Sequence, residues 1–436
     1  MHPTMLLDAC RVVATRLTMR AANFVVFLIL ARSLTPAEFG AYGYIVASVL
    51  MLSVIADLGL RQATAAAIGE GRDEARLLAQ LVLIWLVLGS VAVLAMHLAI
   101  QLVGLLDDTA LLWTAALVAA PALFMRTWQG IFLGRGQIAA LNRSELASRA
   151  VLLLGTAVLA AGGWLALQTI VWLLLLSYLV GSLVVLTDVA PRLAAADFRA
   201  PAIAIGLLRR GLGFAAGIIA MIMLGRVGVW IVGGLLSADD LGRYFGLMRL
   251  AEMVAEIATA VGMVIFSHGV RRTGERAAAV ADTLRLTRLV GALMALVSVV
   301  ILALAEPLLG LALGPAYAGA ADAFRLMVIG ALAGCYGMML FPGLSSQGEE
   351  KMGALIFIVG TATATFLAFA LAASHGLMGA ALAMALAQVA TLVGFLVAYR
   401  RAFGVAVRDA LLPRPDDLRQ LAAPLLAGLR RRLAGT

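Results

Sequence analysis

The chain has 436 residues, of which 63% are hydrophobic and 13% charged, against about half apolar and roughly a quarter charged in a soluble domain, so an ordinary water-soluble fold is excluded. The net charge of +9 would point to nucleic acid in a soluble protein. Here the positive residues lie between long apolar runs, where they set topology and attract anionic headgroups, and nucleic acid is excluded as a partner.

In chain order, apolar runs long enough for a bilayer's hydrocarbon, about 20 residues, fall near Leu6–Ala31, Tyr42–Leu60, Leu77–Ile100, Leu111–Gly134, Ala147–Ala166 and Ile170–Ala190. A second set of six falls near Phe214–Leu236, Tyr244–Phe266, Leu289–Leu311, Phe324–Leu344, Ala354–Ala373 and Gly379–Tyr399. Within the first run arginines are followed by the apolar stretch Asn23–Ala31, which resembles the start of a signal peptide. No small-residue cleavage site in a polar context follows it, so it counts as a span.

Charge inside a span costs roughly 2.5–3.5 kcal/mol at the bilayer centre, so each such residue needs a partner, a cavity or a route to the headgroups. In the first span Arg16, Arg20 and Asn23 share one helix face, placed to bind substrate or, for the arginines, to reach the headgroups. Asp57 and Arg61, four apart at the end of the second span, are expected to form a structural pair. Arg126 lies about eight residues inside the fourth span, roughly 12 Å from its end. Arg226 lies deeper in the seventh, too far for easy snorkelling. In the eighth, Arg249, Glu252 and Glu256 share a face, either as an internal salt bridge or as an ion-coupling group. The tryptophans are expected to form an interfacial belt. Cys10 and Cys335 stand alone, and neither a metal site nor a cofactor is expected.

Arginines and the single lysine, Lys351, crowd into the loops after even-numbered spans and the C-terminal tail, whereas the opposite loops hold only Arg32 and Arg243. Positive residues are retained on the cytoplasmic side, so both termini are expected there. The segment LTPAEFGAY (Leu34–Tyr42) returns as LSADDLGRY (Leu236–Tyr244) at one constant offset, and Gly136-Gln137 is echoed by Gly348-Glu349. The expected organisation is a six-helix bundle over residues 1–190, a cytoplasmic linker at 191–205, a second bundle over 206–399 and a basic tail at 400–436. Such parallel repeats hold substrate between the halves. Gly40 and Gly242 are expected in tight turns, and Gly376, Gly379, Ala380 and Ala381 at close helix contacts.

LARSLTPAEFGAYGYIVASVLMLSVIADLGL (Leu30–Leu60), EPLLGLALGPAYAGAADAFRLM (Glu306–Met327) and GLMGAALAMALAQ (Gly376–Gln388) resemble the polysaccharide transporter family, which includes O-antigen flippases, of the multidrug, oligosaccharidyl-lipid and polysaccharide flippase superfamily. The resemblance covers most of residues 10–400. It implies an all-α integral membrane protein of about twelve transmembrane helices in two homologous six-helix bundles around a central cavity. It further implies alternating access on undecaprenyl-diphosphate-linked sugars in O-antigen or lipopolysaccharide synthesis at the bacterial inner membrane, beside membrane lipids and possible polysaccharide polymerase machinery.

The charges agree with that expectation: Arg16, Arg20, Arg126 and Arg226 outnumber Glu252 and Glu256, and guanidinium forks suit a diphosphate's oxygens. A multidrug exporter of the same superfamily would favour carboxylates for cationic drugs. A membrane glycosyltransferase or polymerase would carry sizeable external loops, and the external connections here are short. The phosphate-binding loop of an ATP-driven pump is missing around Lys351, so a transporter rather than an enzyme is expected.

Overall fold

The computed structural model describes residues 20–193, 201–271, 276–414 and 417; Cys10 and Arg16 lie outside them. Every regular element among the described residues is helical. The first, α1, occupies residues 20–33. It is followed by α2 (Pro36–Asp57), α3 (Leu60–Gly69), α4 (Glu74–Val103), α5 (Thr109–Leu117), α6 (Ala119–Gly134), α7 (Ile138–Ala161) and α8 (Leu167–Leu193). Then come α9 (Pro201–Leu224), α10 (Val227–Leu235), α11 (Ala238–Arg271), α12 (Arg276–Ala303), α13 (Ala305–Ala312), α14 (Ala321–Ser346), α15 (Glu350–Phe403) and α16 (Val407–Leu411).

Nine helical stretches among the described residues are long and apolar enough to cross a membrane. One of them, α15, is two passes in a single run. Its 54 residues would reach about 80 Å at 1.5 Å per residue, far beyond a hydrocarbon core about 30 Å thick. The run breaks at Gly376, whose φ of 57° and ψ of −137° leave the helical region and suit glycine alone. The sequence expectation for Gly376 is therefore corrected: it is a backbone hinge, while Ala380 and Ala381 are buried as expected.

Several helices are interrupted by short breaks. Leu58 and Gly59, both left-handed, separate α2 from α3, Val118 separates α5 from α6, and Gly225 and Arg226 separate α9 from α10. At the other end of α2, Thr35 caps the helix by accepting from the Glu38 N–H while the Glu38 side chain accepts from Thr35, with Pro36 in the first turn. This capping box satisfies otherwise unpaired N–H groups, and it makes most of LTPAEFGAY helix rather than loop.

Gly40 and Gly242 are consequently helical, which corrects their expected place in turns. They touch each other. A Cβ on Gly40 would lie 2.6 Å from the Gly242 nitrogen and 2.7 Å from the Ala238 carbonyl oxygen, and one on Gly242 would strike the Pro36 carbonyl. The two copies of the repeated segment thus pack backbone on backbone, a contact only small residues permit. Phe39 and Phe245 flank it with ring centroids 5.3 Å apart.

The chain forms two compact units, Met1–Phe245 with Ala312–Ala316, and Gly246–Leu311 with Tyr317–Thr436. The core of the first includes Leu77, Leu78, Phe132, Val185 and a fully buried Trp128, which stacks on Phe124 at 4.8 Å. Trp128 is thus a core residue and no part of an interfacial belt. In the second unit Phe341, Phe357 and Phe395 pack edge to face or tilted, and the buried Tyr399 hydroxyl donates to the Leu340 carbonyl.

A polar clasp fastens the end of this second unit. The Arg288 guanidinium donates to both Asp417 oxygens at 2.7 and 2.8 Å and to the Asp409 carbonyl at 2.6 Å. Both side chains of the pair are buried. Hydrogen bonds from Arg288 hold the Asp417 carboxyl below the usual carboxylate range. A carboxyl lowered on folding contributes stability above its unfolded value, near about 3.9, and loses it as pH falls through the folded value. Arg288→Ala is expected to cost about 2–3 kcal/mol, the worth of hydrogen bonds to charged groups. A thermal melt of the purified protein at pH 7 reads this cost, and an unchanged midpoint would show that the clasp carries no stability.

Candidate functional site

In the first unit three of the expected cationic groups are described. Arg20 and Asn23 are half-buried on α1, and their spacing of three keeps them on neighbouring parts of one face. Arg126 projects from α6, which begins at the Val118 break, and its side chain is 17% exposed. Arg226 sits in the break between α9 and α10, with φ −129° and ψ −23°.

The geometry at Arg226 follows from its position. The Arg226 N–H donates to the Met223 carbonyl and the Val229 N–H to the Arg226 carbonyl, so the turn is closed by short-range bonds between the helices. One guanidinium nitrogen donates to the Gly225 carbonyl at 3.0 Å. The residue also stands at the start of α10, where a helix carries partial positive charge. Discontinuous membrane helices place such ends at anionic groups.

Arg126 meets a residue that the sequence pattern assigned elsewhere. Its Nε lies 3.8 Å from Asp57 Oδ2, and Asp57 is 1% exposed at the last residue of α2. The Thr127 hydroxyl donates to Asp57 Oδ1 at 2.8 Å, and the Arg61 backbone N–H reaches Oδ2 at 3.4 Å. The expected pairing of Asp57 with Arg61 is thus extended: Arg61 acts on the carboxylate through its backbone N–H and its charge, and the Arg126 guanidinium supplies an ion-pair partner from another helix. One turn along α6, buried Gln129 donates to Glu145 of α7 at 3.2 Å. Asp57 and Arg126 are 69 positions apart on different helices, so spacing could not join them. The usable signal was charge balance, because a carboxylate within one span calls for a cation in another.

The expected coupling group lies in the second unit on α11. Arg249 donates to Glu252 at 2.7 Å across one helical turn, and Glu256 is half-buried one turn further on. The structure thus joins Arg249 to Glu252, places Arg226 with Arg20 and Arg126 in the first compact unit, and leaves Arg16 outside the described residues.

The family model described as polysaccharide biosynthesis protein matches residues 29–322. No curated protein matches by sequence. Among solved structures, the lipid II flippase MurJ in an inward closed conformation is similar with a TM-score of 0.73 and 12% identity, covering 98% of this chain and 93% of that one. An inward-facing multidrug resistance MATE family transporter of the MOP superfamily gives 0.67 and 16%, over 88% of this chain and 94% of that one. A MOP superfamily transporter from Pyrococcus furiosus, described by the reverse polarity of its binding pocket, gives 0.58 and 16%, over 89% and 93%.

Proposed function

The chain belongs to the polysaccharide biosynthesis protein family, and from that premise we propose that this multi-pass membrane transporter is a flippase for polyprenyl-diphosphate-linked oligosaccharide. It carries the lipid-linked sugar from the inner to the outer leaflet of a bacterial inner membrane by alternating access, in the assembly of O-antigen or a related surface polysaccharide. The observation that carries the proposal is the cationic set inside the spans of the first unit. Arg126 in particular holds a guanidinium in a largely buried place, its Nε without a hydrogen-bond acceptor among the described residues.

A buried N–H without a hydrogen bond is costly unless an acceptor completes it. A diphosphate does so with charge-assisted, bidentate bonds. Arg20, Asn23, Arg126 and Arg226, with Arg16, are proposed to hold that group while the polyprenyl tail stays in lipid. Glu252 and Glu256, with Arg249, are proposed as the ion-responsive group on the second unit. Two of the similar structures support attention to charge: one is a flippase of lipid II, and in another a reversed pocket polarity is taken to suggest a different function.

The test is complementation. In a strain lacking its lipid-linked sugar flippase, the chain is expected to restore surface polysaccharide and to leave drug susceptibility unchanged. Restored drug resistance without restored polysaccharide would replace the proposal with a multidrug exporter. Topology is checked separately. Reporter fusions after Gly71, Gly269 and Thr436 are all expected to report the cytoplasm, and a periplasmic signal from any of them would refute the orientation.

A further inference from the structure

We infer that Asp57 is a resident counterion that Arg126 exchanges for the substrate's diphosphate, so that Asp57 holds affinity down and drives release; this rests on the proposed anion-carrying role of Arg126. Arg126 and Asp57 stand at ion-pair distance, 3.8 Å, which is beyond hydrogen-bond reach. The guanidinium has five N–H donors. Among the described residues its buried Nε donates to no acceptor, Asp57 is its ion-pair partner, and Glu145 adds a second, lesser negative charge.

The carboxylate is held differently. Its hydrogen bonds come from Thr127 at 2.8 Å and the Arg61 backbone at 3.4 Å, so Arg126 can leave without breaking either of them. The α2 break supports this arrangement. Leu58 and Gly59 are left-handed immediately after Asp57, and a Cβ on Gly211 of α9 would lie 2.5 Å from the Leu58 carbonyl oxygen. The carboxylate is therefore fixed at a helix end pressed against another helix, while no hydrogen bond ties the longer arginine arm to it.

An incoming diphosphate exceeds one carboxylate in charge and in number of acceptor oxygens, and it takes the guanidinium fork. Asp57 then keeps Thr127 and the neighbouring Arg61 but loses the charge of Arg126, which is unfavourable for a buried carboxylate. That penalty is relieved when Arg126 swings back and the anion departs. A carrier needs this balance, since a site that binds too well does not let go. Asp57 is thus a positioning residue that acts through Arg126 and never touches the substrate.

The experiment measures inorganic pyrophosphate binding to the purified full chain in nanodiscs. Asp57→Asn is expected to bind about tenfold tighter than wild type, because the competing state of Arg126 is removed. Asp57→Ser, which also removes the charge, should do the same and stands in should the amide variant fail to fold. Asp57→Glu, which keeps the charge, should not tighten binding. Arg126→Gln should lose binding, and Asp57→Asn combined with Arg126→Gln should match Arg126→Gln alone. A purely structural role for Asp57 would weaken binding in all its variants. Equal affinity in wild type, Asp57→Asn and Asp57→Ser, with loss in Arg126→Gln, overturns the role of Asp57 and leaves the anion-carrying function standing. No binding by any of the proteins, wild type included, overturns both.

Discussion

Gly242→Val is expected to remove most of the folded protein from the membrane. The Gly242 Cα faces the Pro36 carbonyl so closely that even a methyl group would strike it, and the reciprocal position, Gly40, has the Gly242 nitrogen at 2.6 Å from an added Cβ. The obstacles on both sides are backbone atoms, which cannot turn aside as a side chain can. Overpacking usually costs about 1–3 kcal/mol and occasionally more, and a clash that must push a pair of helices apart belongs at or beyond the upper end. Gly234→Ala on α10 is the control, since no atom of the described residues lies within 4 Å of its added Cβ. Membrane content and the thermal midpoint in detergent read the effect. A Gly242→Val protein that accumulates and melts like wild type would show that the native helices do not cross this closely.

Arg226→Ala is expected to slow export by about 10- to 100-fold, the loss of hydrogen bonds between a charged group and its partner. The residue lies in the break between two helices, beside the positive end of α10, where an anion gains from both the fork and the helix end. Arg226→Lys should recover only some of the rate, because an ammonium is a point charge without the planar pair of donors. Arg76→Ala, at an exposed position, should have no comparable effect. The comparison is made with expression-matched variants, measuring lipid-linked sugar retained in the inner leaflet. Export at the wild-type rate by Arg226→Ala would remove this residue from the substrate path.

The membrane fold was legible because the bilayer imposes a length, and runs of about 20 apolar residues announce themselves. The helix breaks were not legible. Residues on both sides of Val118 are as apolar as a continuous span, and only the backbone records the interruption. The segment LTPAEFGAY misled by its polarity, although Thr35, Pro36 and Glu38 carried a helix-start signal. Its repeat at Leu236–Tyr244 was visible, but the direct packing of the two copies was not. In the candidate site, Arg126 and Arg226 stood out as single charges inside apolar runs. The partner of Arg126 did not, because the nearby Arg61 offered Asp57 a local pairing and a contact between separate helices leaves no periodicity to read.

On the proposed route an anionic, lipid-linked sugar crosses the membrane on arginines set inside the spans. The most direct test of that route is translocation of labelled undecaprenyl-diphosphate-linked oligosaccharide by the purified protein in proteoliposomes, beside a lipophilic cationic dye. The wild-type protein is expected to move the lipid-linked sugar and ignore the dye, while Arg226→Ala and Arg126→Gln leave the sugar where it was loaded. Movement of the dye alone, or undiminished flipping by both arginine variants, would contradict the account.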